Sequence, residues 1–323
     1  ITEYKPRGFL KYAVRSVLNQ SLDKNYYEII LVKLHKDKVI DELVEESGGK
    51  VLYLTRAPIG YYLYRGIQES IGETLVFLDD DDMFVSRKLR HIYDVFKQKP
   101  ELGYYHHLAY VIDSQNRVIG GFFGGPQRMI LVNPSDVDNV KRVLRRYGSF
   151  GSLMSTTAIR REAIEPFIDK LRLLISGPDT FMFFAALNSR YLMLHEPFEL
   201  SYYRVHGDQV SLPRGSTSID TLRRFALSAV LNQHSVYYLR NVFPQLSLLP
   251  LRHNLLGAYH YNVLGLILLG LNRKLVSSTS IIVLWRSFFD KSPWRVLAGL
   301  LGIAYIVLPR RVAQYLLVKY YYR

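Results

Sequence analysis

The chain contains no cysteine in its 323 residues. That excludes a disulfide framework, a thiolate zinc site and a catalytic cysteine, and it suits a reducing compartment. Residues 1 to 20 lack an apolar core followed by a small-residue cleavage site, so no secretory signal is expected there, and Ile1 reads as the end of a strand. Acidic side chains are scarce in one region only: residues 204 to 323 hold 15 basic and 3 acidic side chains, against 27 and 25 in residues 1 to 203. The net charge of +14 is therefore almost wholly C-terminal. A tail that is both basic and apolar points to an anionic membrane surface or a phosphorylated acceptor, whereas nucleic acid would call for a uniformly basic domain. The length suits one large domain with a substantial appendage. No internal repeat or low-complexity tract interrupts it.

What is present in the first half is an alternation of helical and strand patterns, the signature of an α/β sheet with crossover helices. Phe9, Leu10, Ala13, Val14, Val17 and Leu18 recur at helical spacing and predict a helix over 7–20. A buried strand over Glu28 to Leu34 follows, then a helix around Val39 and Val44, a strand at Val51 to Leu54 and a helix over Ile59 to Ile71. Ser86 is read as the N-cap of the next helix, which carries Leu89, Ile92 and Phe96 and closes at Pro100. Tyr104 to Ile112, Arg117 to Phe123 and Phe198 to Val205 read as strands. The glycine-rich run from Gly120 to Pro126 predicts a mobile loop over a site, and a domain boundary is expected between Ser211 and Ser218.

The chemistry centres on Thr74 to Leu78, an apolar strand that runs directly into Asp79, Asp80, Asp81 and Asp82. Ligands of α/β folds bind beyond the carboxyl ends of their strands. Four adjacent aspartates in a closed site raise one another's pKa, so either water or a cation must screen them. The plain alternative is a solvated loop whose last acid favours the next helix. A buried strand directly ahead argues for the cation, and hard oxygen ligands imply Mg2+ or Mn2+ shared with diphosphate oxygens.

The ordered series Ser16 to Ser21, Tyr27 to Val32, Gly66, Ile67, Gly72, Glu73 and Phe77 to Asp82 resembles family 2 glycosyltransferases with the GT-A fold. That resemblance implies a Rossmann-like mixed sheet with flanking helices over 1–215, followed by a basic helical region over 216–323. It implies a nucleotide diphosphate sugar as donor, with Tyr4, Asp79 and Asp80 near the nucleotide, Asp81 on the metal and Asp82 supporting. Asp179, at the start of a helix after Pro178, takes the place of the family's catalytic base, although the acid that usually precedes it is Pro178 here. Tyr203 to Asp208 and Ser211 resemble the closing motif, in which Arg204 and His206 approach the diphosphate or its metal. An inverting transfer to a hydroxyl is the implied reaction. Lys33 stands where the family has an acid that reads the nucleobase, and Tyr61, Tyr62, Leu63 and Tyr64 replace a second donor segment, so the base is left open.

In the tail, Asn254 to Leu271 is 18 residues long but interrupted by His260 and Asn262, and Trp294 to Leu308 is shorter than a bilayer needs. Interfacial helices are favoured over spanning ones, with Trp285, Trp294 and Tyr320 to Tyr322 at headgroup level and Arg286, Lys291, Arg295, Arg310 and Arg311 facing anionic lipid. The expected acceptor is a lipid-linked or cell-envelope glycan at the cytoplasmic face. A polyprenyl-phosphate acceptor is the near alternative and needs no base. A non-catalytic binder of RNA or another anionic polymer is the distant one, using Lys141, Arg142, Arg145 and Arg146 on a helix starting near Ser135.

Overall fold

The computed structural model describes residues 1–207 apart from 148, 149 and 152, together with 235, 238, 239, 241–243 and 312. The chain divides into two compact units, Ile1–His206 and Gly207–Arg323. The boundary expected between Ser211 and Ser218 falls outside the described residues, as do the membrane-facing segments expected beyond it, except for isolated positions. Among the described residues no helix is long and apolar enough to cross a membrane.

The first unit opens with three parallel strands, β1 (Thr2–Glu3), β2 (Ile30–Lys33) and β3 (Lys50–Tyr53), in that spatial order. Helices α1 (Leu10–Leu18) and α2 (Lys38–Glu46) make the crossovers. Then come α3 (Ile59–Glu69), β4 (Thr74–Val76), β5 (Met83–Phe84), α4 (Lys88–Gln98), β6 (Leu102–Ile112), β7 (Val118–Phe123) and β8 (Ile130–Val132). The unit closes with α5 (Val137–Tyr147), β9 (Thr157–Arg160), α6 (Arg161–Ile164), α7 (Ile168–Leu171), α8 (Pro178–Leu187) and β10 (Leu192–Arg204). The second sheet has the order β4-β9-β6-β10-β5, with β7 on β6 and β8 on β10. β6 and β10 are parallel while the other pairs are antiparallel, which makes the sheet mixed. A parallel bridge between Thr2 and Asp79 joins the two sheets.

Apolar spacing positions the layers. Leu10, Ala13, Val14 and Val17 of α1 are buried with Leu31, Val44, Leu78 and Leu89 in one core. Several boundaries depart from the sequence reading for local reasons. α1 begins at Leu10 rather than residue 7, because Gly8 sits at φ +79°, a left-handed conformation that stops a helix from forming through it. Ser86 does not cap α4. The helix starts two residues later, and the Leu89 amide donates to Oε1 of Gln20 at 2.9 Å, so a distant side chain does the capping. Gly120 to Phe123 belong to strand β7, held by pairing with β6, and only the segment from Gly124 onward forms the loop. Helix α5 is capped by Asp136, whose Oδ1 accepts from the amides of Asp138 and Asn139, rather than starting at Ser135. Strand β10 begins at Leu192, ahead of the expected Phe198. Its pairing with β6 shifts register between Glu196 and Ser201, around Pro197, which has no amide to give.

Lys33 is buried at the end of β2, and its Nζ lies 2.8 Å from Oδ1 of Asp41 on α2. Oδ2 of Asp41 accepts from the Tyr53 hydroxyl at 2.6 Å and the Asp37 amide at 2.9 Å. Burial pulls the Asp41 pKa upward, but hydrogen bonds from Lys33 and Tyr53 prevail and hold it below the usual carboxylate value. Asp41→Ala leaves a buried ammonium unpaired and is expected to destabilise the unit by about 3–5 kcal/mol. The folded chain takes up this proton less readily than the unfolded one. The contribution is therefore complete above about pH 4 and is lost as pH falls through the lower, folded-state pKa. Thermal unfolding of both proteins from neutral to acidic pH checks this: the gap in Tm should hold down to about pH 4 and close below it.

Candidate functional site

Strand β4 ends at Val76, and two further buried residues carry the chain to the seam between the sheets. The Phe77 amide donates to the Thr157 carbonyl at 3.4 Å, and the Thr2 amide donates to that of Leu78 at 3.1 Å. The four aspartates follow. Asp80 and Asp82 are buried, while Asp79 and Asp81 are half-buried.

Their charge is met from within the chain, an option that a choice between water and an added ion leaves out. NH1 of Arg7 lies 3.1 Å from Oδ1 of Asp80 and 2.6 Å from Oδ2 of Asp81. His206 places Nε2 3.1 Å from the same Asp81 oxygen. Arg204 is buried between the rings of Phe9 and Tyr12, 4.6 and 5.5 Å from their centroids. It donates through Nε to the Asp81 carbonyl at 2.7 Å and through NH1 to that of Asp113 at 3.0 Å, and its amide donates to Oδ1 of Asp82 at 2.9 Å. The structure thus brings Asp80, Asp81, Asp82, Arg204 and His206 into one network. The Arg204 guanidinium meets that network through backbone oxygens, as a brace for Asp81.

The electrostatics separate the four acids. Burial, and then the charge of Asp81, push Asp79 up to about 7. The same causes raise Asp80 and Asp82. Asp81 moves the other way: burial opposes ionisation, but the hydrogen bond from His206 and the charge of Arg7 hold its pKa down. Asp81 is thus the member kept ionised.

One turn, Met154–Thr156, ties this cluster to the helix carrying Asp179. The Ser155 hydroxyl accepts from the Asp79 amide at 3.0 Å, and its polarity works against the rise in the Asp82 pKa. Behind it, the buried Lys88 amine and the Ser201 hydroxyl both donate to the Ser155 carbonyl, at 2.7 and 2.6 Å. Just ahead of the turn, the Leu153 amide donates to Oδ2 of Asp179 at 3.0 Å, with Leu153 at φ +80°, a strained conformation for a branched side chain. Gly177, at φ +71°, and Pro178 start α8, so Asp179 lies in the first turn, where the helix dipole favours an anion. Burial raises the pKa of Asp179 and the amides of Leu153 and Thr180 restrain it. The charge of Asp179 in turn raises Asp79, so the two carboxylates sense one another.

Tyr4 stands apart from these contacts, exposed and edge-on to the buried Tyr62, with ring centroids 5.4 Å apart. Arg7, Ser155 and Lys88 are members of the site that the sequence reading passed over. On the other side of the turn, Nδ1 of His106 meets Nδ1 of His195 at 2.9 Å, Nε2 of His106 meets the Thr156 hydroxyl at 2.9 Å, and Nε2 of His195 donates to the Pro126 carbonyl at 2.7 Å. A cavity of about 560 Å³ opens there, lined by Phe123 to Arg128, Tyr147 and Phe150. None of the four aspartates lines it.

Among the described residues, no group of three or more His, Asp or Glu side chains is arranged to hold a metal ion. The donor types nevertheless suit Mg2+ or Mn2+, with carboxylates at Asp79 and Asp81, the His206 imidazole and a buried Oδ2 of Asp80 that has no hydrogen-bond partner. The side chains are gathered around the Arg7 guanidinium instead.

Comparison with known proteins agrees with this architecture. An uncharacterized glycosyltransferase of Nostoc sp. (strain PCC 7120) is 27% identical over 217 residues, so the match spans 64% of this chain and 64% of that protein. S. aureus TarS 1–349 in complex with UDP-GlcNAc superposes with a TM-score of 0.50 at 14% identity, covering 100% of this chain and 90% of that one. A second crystal structure of S. aureus TarS 1–349 gives 0.50 at 14%, covering 100% and 89%. At such identity these structures establish the fold, GT-A. Residues 3–165, more than half the chain, match the family described as "Glycosyl transferase family 2". The chain therefore belongs to glycosyl transferase family 2.

Proposed function

We propose that the chain transfers a sugar from a nucleoside diphosphate donor to a hydroxyl, with inversion, and that a divalent cation assists. The observation that carries this reading is the shared turn: Ser155 holds the Asp79 amide while Leu153 holds the Asp179 carboxylate, so the aspartate cluster and a raised-pKa carboxylate are tied to one short segment. The donor diphosphate lies against Asp79 to Asp82, with Tyr4 on the side of the nucleoside. Asp81, with Asp79 and His206, would hold Mg2+ or Mn2+, which when bound would supply positive charge to offset that growing on the departing diphosphate. Arg204 keeps Asp81 in position by holding its backbone carbonyl. Asp179 takes the proton of the attacking hydroxyl, which approaches the sugar carbon from the face opposite the diphosphate. The cavity beside Phe150, three residues ahead of Leu153, is assigned to the acceptor.

We propose further that the acceptor is a lipid-linked or cell-envelope glycan at the cytoplasmic membrane face, supported by the excess of 15 basic over 3 acidic side chains in residues 204 to 323. Calorimetry with a panel of nucleoside diphosphates, with and without Mn2+, tests the donor half, and liposome flotation of the chain with and without residues 216–323 tests the membrane half. Absence of binding to every diphosphate in both conditions refutes the first. Flotation that survives the truncation refutes the second.

A further inference from the structure

We propose that Arg7 is the resident counter-cation of the aspartate cluster, that it competes with a divalent ion for Asp81, and that it passes to the phosphate oxygens when the donor binds. The last step rests on the donor reading above; the competition does not.

Three observations support it. A single guanidinium nitrogen, NH1, serves both Asp80 and Asp81, and the Arg7 side chain is only 11% exposed. Oδ2 of Asp81 is already contacted by Arg7 and by His206, so a metal ion bonding to that oxygen would sit against the Arg7 charge. Like charges at this separation repel strongly in a partly desolvated site, and the guanidinium must leave for the ion to enter. Second, the arrangement is incomplete. The Nε of Arg7, the NH2 of Arg204 and the Oδ2 of Asp80 are all buried with no hydrogen-bond partner. Two open donors call for an acceptor and one open carboxylate oxygen calls for a cation or a donor, so a metal diphosphate supplies both kinds of partner. Third, Arg7 belongs to no helix or strand, so its displacement unpacks neither. It lies between β1 and α1, flanked by exposed Lys5, Pro6 and Gly8, and Gly8 at φ +79° has no neighbouring atoms where a side chain would project.

The planar fork of arginine suits the transfer, because it binds phosphate oxygens as readily as carboxylates. Before the donor arrives, Arg7 keeps the acids from repelling one another. Once it has moved, Asp81 is open to the ion and the diphosphate has gained a positive partner.

The test uses the full chain and two variants, Arg7→Met and Arg7→Lys, each checked for cooperative thermal unfolding. Mn2+ binding is read by electron paramagnetic resonance of the free ion, without nucleotide. Arg7→Met should bind Mn2+ at least tenfold more tightly than the parent, with Arg7→Lys between them. Calorimetry with UDP or GDP, whichever the parent binds, should then show Arg7→Met losing at least tenfold in nucleotide affinity at saturating Mn2+. Unchanged or weaker Mn2+ binding in folded Arg7→Met, or Mn2+ binding by neither protein, overturns the competition. Tighter Mn2+ with unchanged nucleotide affinity overturns the transfer to phosphate and marks Arg7 as a fixed tether. Failure of the parent to bind any diphosphate refutes the donor reading instead, while the Mn2+ titration still decides the competition.

Discussion

Asp81→Asn is expected to lower the rate of sugar transfer by about 10²–10³-fold, the loss that follows removal of one charge-stabilising group from a preorganised site. Asp81 is the acid held ionised by His206 and Arg7, and on the proposed reading it is the one that holds a cation against the diphosphate. Asparagine keeps the shape and removes the charge. The same change takes a like charge away from Asp79, Asp80 and Asp82, each of which Asp81 drives upward. The variant also loses the ion contacts from Arg7 and His206, which opposes that relief, so the rate is compared at a temperature where thermal melts show both proteins folded. Transfer assays across a Mn2+ series, run beside thermal melts, check both parts. A variant that keeps its rate over the whole series removes Asp81 from the mechanism.

Asp179→Asn is expected to cost about 10²–10⁴-fold in transfer to a hydroxyl, the range for loss of a general base. One amide oxygen still accepts from Leu153, so the start of α8 should survive. The pH profile carries the sign. Burial raises the Asp179 pKa above the usual carboxylate value, so a base at this position is protonated and silent on the acid side of that raised pKa and active above it. The parent should lose activity as pH falls through that limb, and the residual activity of the variant should lack it. An acceptor that is already an anion needs no base, so an unchanged rate would point to a polyprenyl phosphate.

Much of the architecture was legible because it is written in short-range patterns. Apolar residues at helical spacing mark α1, and the buried apolar run through Leu78, of which Thr74–Val76 is strand, announces where the acids emerge. Asp179 was singled out by the family resemblance, and the helix start expected there is present, with Gly177 and Pro178 ahead of it. What escaped notice depends on residues far apart in the chain. Arg7 meets Asp80 and Asp81 across separations of 73 and 74 residues, and Ser155 meets the Asp79 amide across 76. Neither has a neighbour in sequence that hints at its partner. Lys88 in the first turn of an amphipathic helix reads as solvent-facing, yet it is fully buried beneath Ser155. Lys33 was noticed for the acid it replaces, while its counterpart Asp41 on the following helix was passed over. The Ser86 cap and the glycine loop failed for the opposite reason. Local preference was outvoted by Gln20 in one case and by the β6 ladder in the other.

The turn that anchors both ends of the site also limits how the enzyme is re-engineered. On the proposed reading, a segment exchange meant to alter only what is glycosylated, if it crosses residues 153 to 156, also replaces the hydroxyl that holds the Asp79 amide, and so would disturb the handling of the incoming nucleotide. Chimeras should therefore keep that stretch together with its aspartates as one inheritable cassette and place their junctions elsewhere.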